Sequence, residues 1–201
     1  MSCYIRMHEI SKIPIFPLNL LPLREEYIPL HIFEQRYRQL QAEVESQDKG
    51  FGILYSGRDN TYNLGGFMKM ESVLKNYETG ESDVLYKCTG IFMLTEFFKT
   101  FPGKEYPGGN VYMLPDECDL PSESFLAEFM IYMRLMKIKE VEEPIYLYDI
   151  ANELDLETPD RLRYLRILDC KKKENFLRER LNYRLHILKQ ESSARNTFNL
   201  N

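Results

Sequence analysis

His31 and Glu34 stand at H-x-x-E spacing, a pattern that can offer an imidazole and a carboxylate to one metal ion. A metal site needs further ligands, and the other two histidines, His8 and His186, lie far away along the chain. His31 is therefore read as structural, and no metal is expected. The cysteines Cys3, Cys88, Cys118 and Cys170 form no C-x-x-C pair, which favours buried free thiols over zinc ligands or a redox motif. Gly103-Lys104 is followed by Glu105, so no G-x-x-x-x-G-K-[ST] loop exists to cradle nucleotide phosphates, and no cofactor is expected. No convergent acid, base and nucleophile can be picked out by spacing, so an enzyme is not expected.

What remains is non-covalent chemistry. Met68 and Met70, with Phe97, Phe98 and Phe101 as aromatic neighbours, are the candidate binding residues. Thioethers and phenyl rings adapt to many apolar shapes, and here they would line an exposed concave surface. The competing reading is that large apolar residues in strands pack inward. Phe33, Glu34, Arg36 and Tyr37 form a second cluster, read as a structural motif in which an arginine near a helix start ties the helix to the sheet. A recognition patch of Glu34, Arg36, Tyr37 and Arg38 is its alternative.

Charge adds a third candidate. The net charge is −5, yet residues 158–195 carry 11 Lys+Arg against 5 Asp+Glu, a local +6 that leaves −11 for the remainder. Arg161, Arg163, Arg166, Lys171, Lys172, Lys173, Arg178, Arg180 and Arg184 could contact phosphates, or could simply be the solvated faces of helices.

The elements that position these residues follow from periodicity and punctuation. Residues 12–17 read as an edge strand, because two prolines forbid a helix interior. A second strand covers 27–30. Phe33, Tyr37, Leu40 and Val44 then recur at helical spacing and predict a helix over 33–46. From 51 to 114 the chain alternates short runs of β-branched, aromatic and Met residues with turn clusters at 56–60, 78–80 and 107–109. Gly90 marks a bulge that would let the sheet curl. After Pro121 the pattern is helical: Phe125, Phe129, Met133 and Met136 share a stripe widened by Leu126 and Met130, capped by Ser122 or Asp119. Further helices are predicted at 147–154, from Thr158 as N-cap with Pro159 behind it and Leu162, Leu165 and Leu168 inward, and from about Asp169 with Leu177, Leu181, Leu185 and Leu188 inward. Glu174 and Arg178 form an i,i+4 pair on the last.

The run Ile13-Pro-Ile-Phe-Pro-Leu18, followed by Ile28-Pro-Leu-His-Ile-Phe-Glu-Gln-Arg-Tyr-Arg38, closely resembles the LPLFPL and LPLHIFEPRYR opening of the Lon protease N-terminal domain family. The likeness continues through Phe51-Gly-Ile53, Gly66, Gly80 and Gly90, then Ile150-Ala-Asn-Glu-Leu154, residues 162–168 and Phe176-Leu-Arg-Glu-Arg-Leu181, roughly the whole chain. Arg24-Glu25 replaces the family's Pro-Gly, Gln35 replaces its proline, and its Arg-Phe is missing near Phe92.

The resemblance implies an α+β chain: a PUA-like β-barrel subdomain over 1–118, an α-helical bundle over 122–190 and a flexible tail over 191–201. It implies a stand-alone, non-catalytic, substrate-binding module that captures unfolded or apolar polypeptide segments, or protein partners, between barrel and helices. RNA binding through the basic helices is the alternative. With no signal-peptide pattern and no run of about 18 apolar residues, the protein is read as cytoplasmic and not membrane-bound. The family's Ser–Lys peptidase dyad lies in a small-residue segment that no serine here inhabits. Purified protein is thus expected to hydrolyse neither ATP nor casein above a buffer blank; turnover that copurifies through several columns would contradict this.

Overall fold

The proline-punctuated run near the start forms strand β1 (Ser11–Leu18), but β1 lies inside the sheet and not at its edge. Two partners make this possible. Residues Ser11, Lys12, Ile13 and Pro14 pair antiparallel with β6 (Gly108–Met113), and Ile15, Phe16, Pro17 and Leu18 pair parallel with β3 (Phe51–Tyr55). Each half therefore has its neighbour in turn, so a proline is tolerated much as it is on an edge strand.

The computed structural model describes residues 10–115, 120–138 and 144–198, with side chains through residue 190. The chain divides into two compact units, Met1–Asp116 and Glu117–Asn201. Unit 1 holds one mixed six-stranded sheet and a helix. Its other elements are β2 (Tyr27–Ile32), α1 (Gln35–Gln47), β4 (Leu64–Asn76) and β5 (Ser82–Phe98). The strand order is β2-β5-β4-β3-β1-β6, and β5 also pairs with β6. The pairings therefore run from β5 through β4, β3, β1 and β6 back to β5.

β5 can serve three neighbours because it is 17 residues long and bent. Phe67 faces Gly90 while Met68 faces Cys88, so Thr89 is the extra residue of a bulge beside Gly90, as the sequence suggests. Two more irregularities follow in β4, at Met70/Ser72 and Val73/Lys75. The turn between β4 and β5 places Gly80 at φ +83°, and the Arg38 guanidinium occupies the space its side chain would need. Ile13, Ile15, Phe92, Leu94 and Val111 form one core cluster.

A second core lies under α1, where Tyr37, Leu40 and Val44 are buried. Tyr37 stacks on Phe16 with ring centres 3.7 Å apart, and Phe51 meets Tyr86 edge-on at 4.9 Å. Gln41, also buried, accepts the Tyr86 hydroxyl proton through Oε1. Burial pushes the Tyr86 phenol far above its ordinary range. Phe33 does not join the stripe predicted for it. It precedes the N-cap Glu34, so helical periodicity does not reach it, and it is 58% exposed.

Unit 2 contains α2 (Glu123–Leu135), α3 (Leu147–Glu153), α4 (Thr158–Arg166) and α5 (Cys170–Phe198). The Ser122 hydroxyl accepts from the Phe125 N–H at 3.3 Å and so caps α2; Asp119 and Cys118 lie outside the described residues. Phe125, Phe129, Tyr132 and Met133 are its buried stripe, but Met136 is 44% exposed because the helix ends one residue earlier. Tyr146 N–H donates to Asp149 at 2.8 Å and starts α3. α4 begins one residue before the prediction: Glu157 is its N-cap, and Thr158 is already helical. Leu162 and Leu165 are buried as expected, whereas Leu168 is 90% exposed. The backbone turns extended at Ile167, which takes Leu168 off the helical face. Asp169 accepts from the Lys172 N–H at 2.8 Å and caps α5, where Leu177 and Leu181 are buried and Leu185 and Leu188 half-buried. No glycine or proline interrupts residues 191–198, and α5 runs through them to Phe198.

Asn60 organises the loop from β3 to β4. Buried, it donates through Nδ2 to the Tyr55 and Leu64 carbonyls at 2.8 Å each and accepts from the Leu64 N–H at 2.8 Å. Asn60→Ala leaves those backbone groups unpaired and is expected to lower stability by about 2–3 kcal/mol. Asn60→Asp should cost at least as much, because a carboxylate would face two carbonyls. Urea unfolding with an unchanged slope is the measurement.

Candidate functional site

Five residues were expected to share one surface, and the structure separates them. Met68 is fully buried opposite Phe51 and cannot touch a ligand there. At the start of β4, Leu64, Gly65 and Gly66 are buried in succession, so both faces of the strand are covered and alternation does not expose Met68. Met70 is half-buried and accepts a hydrogen bond from Gln41 Nε2 at 3.2 Å. Phe98 lies under Lys12, whose Nζ is 5.2 Å from the ring centre. Phe97, 45% exposed, lines a depression of about 320 Å³ with Pro17, Leu54 and Leu94. Phe101 lines a different hollow.

That hollow is a pocket of about 390 Å³ within unit 1, between α1, β1 and the loop from β5 to β6. Ile13 and Pro14 of β1, Leu40 and Val44 of α1, and Phe67 of β4 give it apolar walls. Phe101 and Tyr106 close one side, their rings stacked at 5.9 Å. Gly50 belongs to the lining because a Cβ there would lie 2.3 Å from the Phe67 ring and 2.7 Å from the Met68 carbonyl.

The polar lining is Lys12, Lys49, Lys104 and Glu43, with Gln47. Glu43 holds the loop to α1: its Oε1 accepts from Lys104 Nζ at 2.8 Å and its Oε2 from the Tyr106 hydroxyl at 2.9 Å. One turn earlier, Gln39 Oε1 accepts from the Glu105 N–H at 3.1 Å. Partial burial raises the Glu43 pKa, but the bonds from Lys104 and Tyr106 and the charges of Lys104 and Lys49 outweigh it and hold the carboxyl below the ordinary range. Burial and Glu43 push the Tyr106 hydroxyl upward. Sequence reasoning missed Glu43 and Tyr106, which lie 63 residues apart. The only local signal was a tyrosine next to Lys104-Glu105 in a turn-rich loop.

The residues of the second cluster make contacts close to their own positions. Arg36 pairs with Glu34 at 2.8 Å and lies 4.6 Å above Tyr37, so it braces its own helix start and does not tie it to the sheet. His31 binds Asp83 at 2.7 Å, approaches Glu81 at 3.6 Å and stacks on Phe33 at 5.8 Å. The hydrogen bonds from His31 and Tyr77 hold the Asp83 carboxyl below its ordinary value.

The basic residues of unit 2 do not form a free cationic face. Arg161 is buried and donates to the Leu156 carbonyl at 2.7 Å, and Lys173 is 4% exposed with its ammonium over Tyr164. Arg178 binds Glu174 and Glu128, Arg180 binds Asp160, and Arg184 donates to the Leu154 carbonyl at 3.1 Å. Arg163 lies over the Phe176 ring, so internal partners hold at least six of the nine cations named for phosphate contact, and the RNA reading finds no support here.

Among the described residues no three His, Cys, Asp or Glu side chains converge to hold a metal. Cys88 is buried, and its thiol is pushed up to about 12, mainly by burial, which removes its nucleophilic form at neutral pH. No helix among the described residues is long and apolar enough to cross a membrane. Cys3 and His8 lie outside the described residues.

The architecture is a mixed sheet with one helix that carries the pocket, followed by a helical unit. Its solved counterparts are particular. The fold is that of Lon N-terminal domains: a Lon N-terminal domain protein from Xanthomonas campestris superposes with a TM-score of 0.66 at 19% identity, over 84% of this chain and 97% of that one. The N-terminal domain of a Mycobacterium avium complex Lon protease does so with a TM-score of 0.59 at 12% identity, over 86% and 98%. No protein-family model matches the chain, and no curated protein matches it by sequence.

The depressed Glu43 pKa fixes a sign. Its bonds contribute stability above the ordinary carboxyl pKa of 4.5, and that contribution is lost as pH falls below it. Glu43→Gln is expected to cost about 1–2 kcal/mol near neutral pH. It should also flatten the fall in stability below about pH 4.5 relative to wild type, measured as urea midpoints across pH.

Proposed function

We propose that the protein is a non-catalytic binding module whose ligand is polypeptide, and that unit 1 is a PUA-like barrel carrying the binding pocket. The observation that carries this reading is the 390 Å³ apolar pocket on a fold shared with the N-terminal domain of a protease. A concave apolar site of this size with a few placed polar groups suits recognition. The closed pairing circuit supports the barrel reading. Phe101 forms a wall of the pocket, and Phe98 lies beneath the Lys12 of its rim, so two of the five residues picked from sequence stay in the proposal. Cys88 and Cys170 are not in a disulfide, which fits a reducing compartment, and the cytoplasm is the proposed location.

Walls built from Leu40, Val44, Phe67 and Phe101 discriminate weakly among apolar side chains, because one methylene more or less changes affinity only modestly. A fluorescently labelled, permanently unfolded model protein is expected to bind saturably with little sequence preference. Phe101→Ala, at a half-buried position, should stay cooperatively folded and weaken binding about fivefold. Absence of saturable binding by the folded wild-type protein would overturn the proposal.

A further inference from the structure

We infer that the pocket of unit 1 receives the C-terminal residue of a polypeptide, an apolar side chain inside and the α-carboxylate on Lys12 and Lys49 at the rim. This rests on the polypeptide-binding reading and names the part of the chain that is bound. Size is the first argument. About 390 Å³ is near the small end for ligand sites, room for one large side chain and its backbone rather than a length of strand.

Charge is the second. Residues 1–116 carry 12 Lys+Arg against 15 Asp+Glu, yet the pocket lining gathers three lysines and one glutamate. Glu43 has both oxygens engaged, by Lys104 and by Tyr106, so Lys104 is already neutralised. Lys12 and Lys49 are exposed, and neither forms an ion pair among the described residues. Lys12 rests its ammonium over the Phe98 ring, a contact weak enough at an exposed site to be exchanged for a carboxylate.

The combination of these groups is the third. An apolar cavity edged by two exposed cations outside any ion pair among the described residues complements a ligand with an anion a short distance from an apolar body. The last residue of a polypeptide has that form, because its carboxylate and side chain share one Cα. An internal acidic residue would need an apolar neighbour and two chain directions leading out of the same small pocket.

Three ten-residue peptides of one sequence, titrated at low ionic strength by fluorescence anisotropy, test this. One ends in Phe with a free carboxylate, one in Phe amide, and one in Gly with a free carboxylate. The Phe acid is expected to bind about tenfold more tightly than either of the others. The double variant Lys12→Gln, Lys49→Gln, at exposed positions, should bring the acid down to the affinity of the amide and leave the amide unchanged. Equal binding of acid and amide would overturn the inference while leaving polypeptide binding intact, and so would laurate displacing the Phe acid from equimolar mixtures. Failure of all three peptides, together with failure of the unfolded protein, would overturn both.

Discussion

A strand of seventeen residues exposes backbone donors and acceptors along both edges, and each buried one needs a partner. β5 meets this demand with three shorter strands: β4 along one edge, β2 on the first part of the other and β6 on the second. The handover from β2 to β6 closes the pairing circuit, and the bulge at Thr89 supplies the bend beside it. Phe92 lies just past that bend. Its ring fills the space that side chains at Gly52 and Gly65 would need, so β3 and β4 both approach one phenyl group of β5. The core of unit 1 is built around it.

The pocket is a consequence of this arrangement and of one carboxylate. β6 returns to β1 only after the loop through Phe101 and Tyr106, and Glu43 and Gln39 fasten that loop to α1. The fastening leaves an apolar hollow under the helix, with lysines at its edge. The Glu43 carboxylate is engaged on both oxygens, and the Cys88 thiol is buried elsewhere.

Local signals in the sequence were read well where the structure is local. The Ser122 cap, the Glu174–Arg178 pair, the bulge at Gly90 and the buried faces of α1 and α5 follow from spacing and side-chain type alone. Leu168 and Phe33 were misplaced because each lies just outside a helix whose period was extended over it. Met68 was misplaced because the start of β4 is covered on both faces, where alternation carries no information. The pocket depended on pairs far apart in the chain, Glu43 with Tyr106 above all, and such pairs leave no periodic trace. Of the five residues picked for binding, Phe101 alone lines it.

The partner exchange along β1 has a kinetic side. Joining Ser11 to Val111 closes a loop of about one hundred residues, a step whose entropy cost grows only slowly with length but whose search is slow. The parallel pairing of β1 with β3 spans far fewer residues and can form earlier. The pocket takes Lys12, Ile13 and Pro14 from one side of the late closure and Lys104 and Tyr106 from the approach to the other. A chain that has not seated β6 on β1 therefore lacks the anchor beyond the loop that supplies the Lys104 and Tyr106 wall of the pocket.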